Sequence, residues 1–236
     1  MQIPFQRLIL VSCLLGALIL GSCESPKQKQ PPATSPAPTT TSPESPSNNQ
    51  FPGLPRLNGK ATVLMTVNGN KQITIELDGN NAPISAGNFV ELVQNKFYDG
   101  LTFHRVVRQP QPFVVQGGDP KGNGSGGYVP KGSSTERTVP LEIKPSNASA
   151  PIVYSQVITD VPALQHKRGA IAMARSQSPD SASSQFYFTL ADIPFLDGNY
   201  AVFGKITRGL EVIDTIQQGD KITSAKVTQG IENLKK

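Results

Sequence analysis

Few side chains in this 236-residue chain have both the type and the spacing to do chemistry. There are two histidines, His104 and His166, and two cysteines, Cys13 and Cys23. Both cysteines fall in the first tenth of the chain, which excludes a disulfide-stapled fold and a cysteine zinc site. Two histidines without a G-x-S-x-G elbow do not make a serine hydrolase, and structural roles account better for both. Gly122, Gly124 and Gly127 satisfy G-x-G-x-x-G, but dinucleotide binding needs a helix to open directly afterwards. Tyr128-Val129-Pro130-Lys131-Gly132 is not helical, so no nucleotide cofactor is expected. Gln116 and Gln185 are more telling, because each long amide sits in a run that otherwise reads apolar and needs a partner there. Arg105 stays open on residue type alone: a surface-strand ion pair is the commoner role, a fixed cation at a cleft the sharper one. The net charge of +5 is mild, and no basic run interleaves with aromatics. Nucleic acid is therefore not an expected partner.

The elements that must position these groups follow from periodicity. Ala61–Val67 and Gln72–Leu77 alternate and are β-branched around Asn68-Gly69-Asn70, which predicts a hairpin. Pro83–Asn95 carries Ile84, Phe89, Val90 and Val93 at helical spacing behind an N-terminal proline, which predicts a helix. Gly87 inside it is the one discordant residue. Further strands are expected at Leu101–Val107, Phe113–Gln116, Gly169–Ala174, Phe186–Leu190, Tyr200–Thr207 and Ile222–Thr228, with a second helix at Leu210–Gln217. Many strands and two helices predict a mainly β barrel or sandwich whose ends the helices close.

Phe103-His104-Arg105-Val106-Val107, followed by Phe113-Val114-Val115-Gln116-Gly117-Gly118-Asp119, closely resembles the cyclophilins. The match continues through Asn123–Gly127, Gly169–Arg175, Ser184–Phe188 and Phe195–Gly204, in family order, across residues 60 to 230. Ala174-Arg175 with Ser178-Pro179-Asp180-Ser181-Ala182 behind it looks like the bacterial branch. The resemblance implies a closed eight-stranded β-barrel capped by two α-helices. It also implies peptidyl-prolyl cis-trans isomerase activity on unfolded or partly folded proline-containing clients, without cofactor or metal, by a monomer.

Resonance sets the barrier to rotation about an X–Pro amide at about 18–20 kcal/mol. Lowering it requires a site that binds the twisted amide better than the planar one. On the resemblance Arg105 does this, since a guanidinium stays charged and presents a rigid fork of donors. Phe113, Val114, Tyr187, Leu196 and Tyr200 are expected to line the proline pocket, with Phe195 at its rim. Gln116 is expected to orient the arginine, and Gln185 to lie at the groove. The backbone around Gly124 and Ala174–Arg175 forms the wall for the residues preceding proline. Taken singly, each of these apolar residues is more often plain core.

Four positions depart from the best-known members: Phe195 for Trp, Tyr187 for Phe, Tyr200 for His and Arg175 for Asn. Loss of the indole donor implies weaker binding of cyclosporin-type inhibitors, and the Tyr187 hydroxyl must find a partner. Arg108–Pro112 lengthens the connection beside the pocket. A second insertion, Lys144–Ala163, is expected as a surface loop away from Arg105. Together these motivate a second reading, a module that binds proline segments with little or no turnover.

The chain ahead of this region is different in kind. Leu8–Leu20 (LILVSCLLGALIL) is an apolar run behind Arg7, too short to span a bilayer and suited to a signal-peptide core. It ends in Leu20-Gly21-Ser22-Cys23, which resembles the bacterial lipoprotein signal, with Cys23 as the lipidated residue after removal of residues 1–22. Residues 23–58 then read as a Pro/Ser/Thr-rich tether without apolar period. Residues 59–236 form the expected domain. The expected location is exported and lipid-anchored, on the periplasmic side of a bacterial envelope or in a thylakoid lumen.

Overall fold

The structure is a computed structural model and describes residues 50–236. The expected signal segment, Cys23 and the tether up to residue 49 lie outside the described residues. In chain order the elements are β1 (Arg56–Leu57), β2 (Lys60–Val67), β3 (Lys71–Asp78), helix α1 (Pro83–Gln94), β4 (Arg105–Val107) and β5 (Val114–Gly117). A short pair follows, β6 (Glu142–Ile143) with β7 (Val153–Tyr154), then β8 (Ala170–Met173) and β9 (Phe186–Thr189). The rest comprises a 3-10 turn (Pro194–Leu196), β10 (Val202–Arg208), α2 (Val212–Thr215), β11 (Ile222–Gln229) and β12 (Leu234–Lys235).

Eight strands form one antiparallel sheet in the order β11-β2-β3-β10-β8-β9-β5-β4. Alternation decides what faces inward: Ala61, Val63, Met65 and Val67 on β2, and Ile73, Ile75 and Leu77 on β3, are buried. The sheet curls until its edges meet, but no strand ladder joins β4 to β11. The segment expected as one strand, Leu101–Val107, is divided between the two edges. Its first half, together with Gly100 just ahead of it, bonds to the start of β11 and the turn before it: Gly100 N–H to Ile222 O at 2.7 Å, Ile222 N–H to Leu101 O at 2.8 Å and Phe103 N–H to Asp220 O at 2.9 Å. Its second half, β4, pairs with β5. One chain segment thereby closes the barrel.

Helix α1 forms as predicted and places Phe89 among Tyr98, Phe186 and Phe203, with ring centroids 4.9, 5.3 and 5.4 Å away. The discordant Gly87 is explained by what crosses it. A Cβ there would lie 2.6 Å from the Arg56 Cα and 2.6 Å from the Pro55 carbonyl. The backbone just before and within β1 needs that space. Residues ahead of 59 pack on the domain as well: β1 pairs with β12, Leu57 is fully buried, and Phe51 and Leu54 lie against the core. The second helix is shorter than expected, four residues instead of the predicted Leu210–Gln217. Arg108 packs against it, donating from Nη2 to the carbonyls of Ile213, Asp214 and Ile216 at 2.9, 3.0 and 2.8 Å. That contact anchors the start of the Arg108–Pro112 insertion on α2.

The N-terminus of α1 has no local side-chain cap. Glu142 of β6 supplies one across the fold, its buried carboxylate accepting from Ile84 N–H at 3.0 Å and Ser85 N–H at 2.8 Å. Burial raises the Glu142 carboxyl above the ordinary glutamate value, while the two amide donors at the helix end act against that shift. Glu142→Ala leaves two buried donors unpaired and is expected to cost about 2–4 kcal/mol. Glu142→Gln, which keeps an acceptor, should cost less; urea unfolding midpoints of the two variants check the order.

Candidate active site

The register of four strands lines the site up in a row. Arg105 on β4 sits opposite Gln116 on β5, Gln116 opposite Tyr187 on β9, and Tyr187 opposite Ala172 on β8. Directly opposed residues share a face of the sheet, and their chain neighbours point the other way. Phe186 and Phe188 therefore enter the barrel core while Tyr187 lies outside it, in a second apolar cluster with Val114, Ala172 and Val202. Phe113, Ala174, Leu196 and Tyr200 pack against that outer cluster. The aromatics that sequence alone left undecided between core and contact are sorted by this parity.

The outer cluster surrounds a cavity of about 180 Å³. Arg105 and Gln116 border one side, Phe113, Val114 and Tyr187 the apolar side, and Ala174, Arg175, Leu196 and Tyr200 the remainder. Phe195 is off the cavity wall, 65% exposed, and stacks on Phe113 with ring centroids 5.9 Å apart and 11° between planes. That is a rim position. A second, polar lobe of about 450 Å³ shares Gln116, Ala174 and Arg175 and continues past Gly124, Gln185, Glu136 and Ser183. The two lobes make one groove.

Arg105 is aimed by a chain of amides. Its Nη1 donates to Gln116 Oε1 at 3.1 Å, and Gln116 Nε2 donates to Gln185 Oε1 at 2.9 Å. Gln185 Nε2 then donates to the carbonyls of Gly124 and Gly126, both at 2.9 Å. Backbone carbonyls only accept and a guanidinium only donates, so both amides are locked in one orientation. The guanidinium also lies 5.7 Å from the Phe113 ring centroid. Arg175 is spent differently: its guanidinium lies 4.7 Å from the Tyr200 ring centroid and bonds the carbonyls of Asn199, Ser176 and Gln177. Its side chain ties two walls of the groove together.

The Gly124 wall depends on Asp119. The buried carboxylate accepts from Lys121 N–H at 2.7 Å, Asn123 N–H at 2.9 Å and Gly124 N–H at 2.5 Å. Gly124 itself has φ of 90°, which a glycine adopts without strain. Burial alone would raise the Asp119 carboxyl, but the three amides outweigh it and hold the group below the usual aspartate range. The Asp119 role was readable in principle, since Asp at the head of a Gly- and Asn-rich turn is an Asx-turn signal.

The partners of Tyr187, His166 and Asp197, gave no such signal. Tyr187, only 5% exposed, bonds through its hydroxyl to His166 Nε2 at 2.9 Å, and His166 Nδ1 bonds to Asp197 Oδ1 at 2.7 Å. The hydroxyl thus finds its partner behind the pocket. The Lys144–Ala163 insertion meets the rim turn: Ile158 N–H donates to Gly198 O at 3.0 Å, two residues beyond Leu196, and Ile158 covers Leu141, Ile143 and Ala201. The apolar end of β6 and the start of β10 require that cover.

The family model for cyclophilin-type peptidyl-prolyl cis-trans isomerase/CLD matches residues 62–235. The chain belongs to the cyclophilins. A Synechocystis protein whose name reads putative thylakoid lumen peptidyl-prolyl cis-trans isomerase is 42% identical over 200 residues, 78% of this chain and 51% of its own length. This chain therefore spans about half of that relative. A Helicobacter pylori peptidyl-prolyl cis-trans isomerase is 40% identical over 166 residues, 69% of this chain and 85% of its own. The crystal structure of a Cryptosporidium parvum cyclophilin superposes with a TM-score of 0.57 at 26% identity, covering 72% of this chain and 98% of that one. That protein has also been solved in the presence of the dipeptide Ala-Pro.

In this cyclophilin the wall at Gly124 should be acid-labile. Because the folded Asp119 carboxyl is held below its unfolded value, its stabilisation is present above the ordinary aspartate range. It is lost as pH falls through the depressed value. Asp119→Ala should cost about 2–3 kcal/mol and speed exchange of the amides of residues 121–126. An Asp119 carboxyl carbon that titrates in the ordinary range by NMR would contradict the assignment.

Proposed function

We propose that this chain accelerates cis-trans rotation about X–Pro bonds of exported polypeptides, with Arg105 as the polarising group and without a cofactor. The observation that carries the reading is a fixed guanidinium beside an apolar cavity of about 180 Å³, the scale of one small ring. The proline ring seats against Phe113, Val114, Tyr187 and Leu196, while the residues before it follow the polar lobe past Gly124 and Ala174. A planar prolyl nitrogen has its lone pair in conjugation and accepts nothing. Twisting frees that pair, and the Arg105 N–H groups then have an acceptor that the ground state lacks. Binding that exists only in the twisted state lowers the barrier. Arg105 is exposed in the free chain, so a bound peptide that covers it lowers the local dielectric and strengthens the interaction.

Lipid attachment at Cys23 and delivery to an exported compartment complete the proposal. The apolar leader ending at Cys23 supports the anchor, and the Synechocystis relative named for the thylakoid lumen supports the compartment. Two acyl chains hold a protein at a membrane firmly, and the proline-rich segment lets the domain stand off from it.

Arg105→Ala should lower the turnover of a short Ala-Pro peptide by about 100- to 1,000-fold, the 3–4 kcal/mol of one well-placed donor. Peptide binding without acceleration by the intact chain would leave a binding module instead. Separately, intact-protein mass spectrometry of the wild type should show an acylated N-terminus at Cys23. Cys23→Ser should give an uncut, unacylated precursor, and a wild type that starts elsewhere without acyl mass would overturn the anchor.

A further inference from the structure

The floor and the rim of the cavity are joined behind it by a single buried side chain. His166 has no exposed side-chain surface. On one side its Nε2 meets the hydroxyl of Tyr187, the residue of β9 that borders the cavity. On the other, Asp197 Oδ1 accepts both the ring Nδ1–H at 2.7 Å and the His166 backbone N–H at 2.8 Å. Asp197 directly follows Phe195 and Leu196, and Ile193 N–H donates to the His166 carbonyl at 2.8 Å. The rim turn is thus bound to residue 166 at both of its ends.

The donor order in this chain is determined. A carboxylate only accepts, so the proton sits on Nδ1 and Nε2 carries a lone pair. The Tyr187 hydroxyl must then donate into His166, away from the cavity. A tyrosine in the floor can present an apolar face to a ring on this condition alone. Adding a proton to His166 places a second N–H at Nε2. The Tyr187 oxygen becomes the acceptor, and its hydrogen turns off this axis. Within the structure His166 is the one hydrogen-bond partner of that hydroxyl among the described residues. The displaced hydrogen is then left unpaired or directed at the cavity.

We propose that His166 and Asp197 are positioning residues of the proline pocket, which seats a proline ring only while His166 is neutral and accepting from Tyr187. This rests on the pocket reading given above. The other charged and titratable groups nearby are Tyr200 and Arg175 beyond Tyr187, and the exposed Lys167–Asp192 pair beside residue 166. Burial disfavours the charged imidazole and Asp197 partly offsets it, so the ring titrates below the ordinary histidine value. Linkage fixes the sign: if proline prefers the neutral ring, acid weakens binding, and bound proline makes His166 harder to protonate.

The test is a pH series of affinity for a short Ala-Pro peptide on the full chain in detergent, with the His166 ring followed by NMR. In the wild type the dissociation constant should rise about tenfold as His166 protonates, and saturating peptide should move that titration about one pH unit lower. The loss should appear in KM while kcat is maintained, since Arg105 is untouched. Tyr187→Phe removes the hydroxyl, so its dissociation constant should be flat over the same range. Asp197→Asn removes the charge that favours the imidazolium and should move the ring titration and the acid limb down together. A flat wild-type profile, whether His166 titrates or stays neutral until the fold is lost, overturns the proposal. So does an unchanged acid limb in Tyr187→Phe. No peptide binding at any pH would overturn the pocket reading itself, and this inference with it.

Discussion

Two side-chain amides, Gln116 and Gln185, connect the glycine-rich turn to the guanidinium, and the arrangement of the groove hangs on them. Each amide has a donor end and an acceptor end, and a half-buried amide loses free energy if either is left unpaired. At one end of the chain stand the carbonyls of Gly124 and Gly126, at the other Arg105. The chain can therefore run in one direction only. Its geometry in turn requires the β4–β5–β9 register, which puts Arg105 and Gln116 side by side, and the Asp119 turn, which sets where the Gly124 carbonyl lies. Arginine orientation is thus a property of three strands and a loop.

The rim is held with the same economy. From inside, His166 and Asp197 fasten it to the floor; from outside, Ile158 of the long insertion bonds to Gly198. Phe195 is left exposed on top, resting on Phe113. Four positions at the cavity and its rim were expected to depart from the best-known members, Tyr187, Tyr200 and Arg175 on the wall and Phe195 on the rim, and the structure gives each side chain a defined task. Tyr187 engages His166, Arg175 bridges to Tyr200 and Asn199, and Phe195 stacks. None of the four disturbs the row from Arg105 to Tyr187.

Much of the fold was legible from local pattern. The β2–β3 hairpin and α1 appear where alternation and helical spacing put them, because those periods report directly on a buried face. The motif blocks named Arg105, Gln116 and Gln185, which the structure brings together along one groove. What escaped has a common cause. β1 and β12 pair across nearly the whole domain, Glu142 caps a helix 57 and 58 residues away, and Leu101–Val107 divides between two sheet edges. No local period records such partners. Gly87 looked like a weak point in a helix and is instead the place where the backbone of β1 crosses it.

By itself the sequence determined element types, the family blocks and the candidate residues, because side-chain alternation and turn chemistry act over a few neighbours. Only the tertiary structure decided which parity of β5 and β9 faces the barrel interior, and so which aromatics are core and which are pocket. It alone showed that His166, Asp197 and Tyr187 form one hydrogen-bonded line behind that pocket. Burial strips these polar groups of water and obliges them to find one another. That obligation arises only once the chain has folded, so no spacing along the sequence can express it.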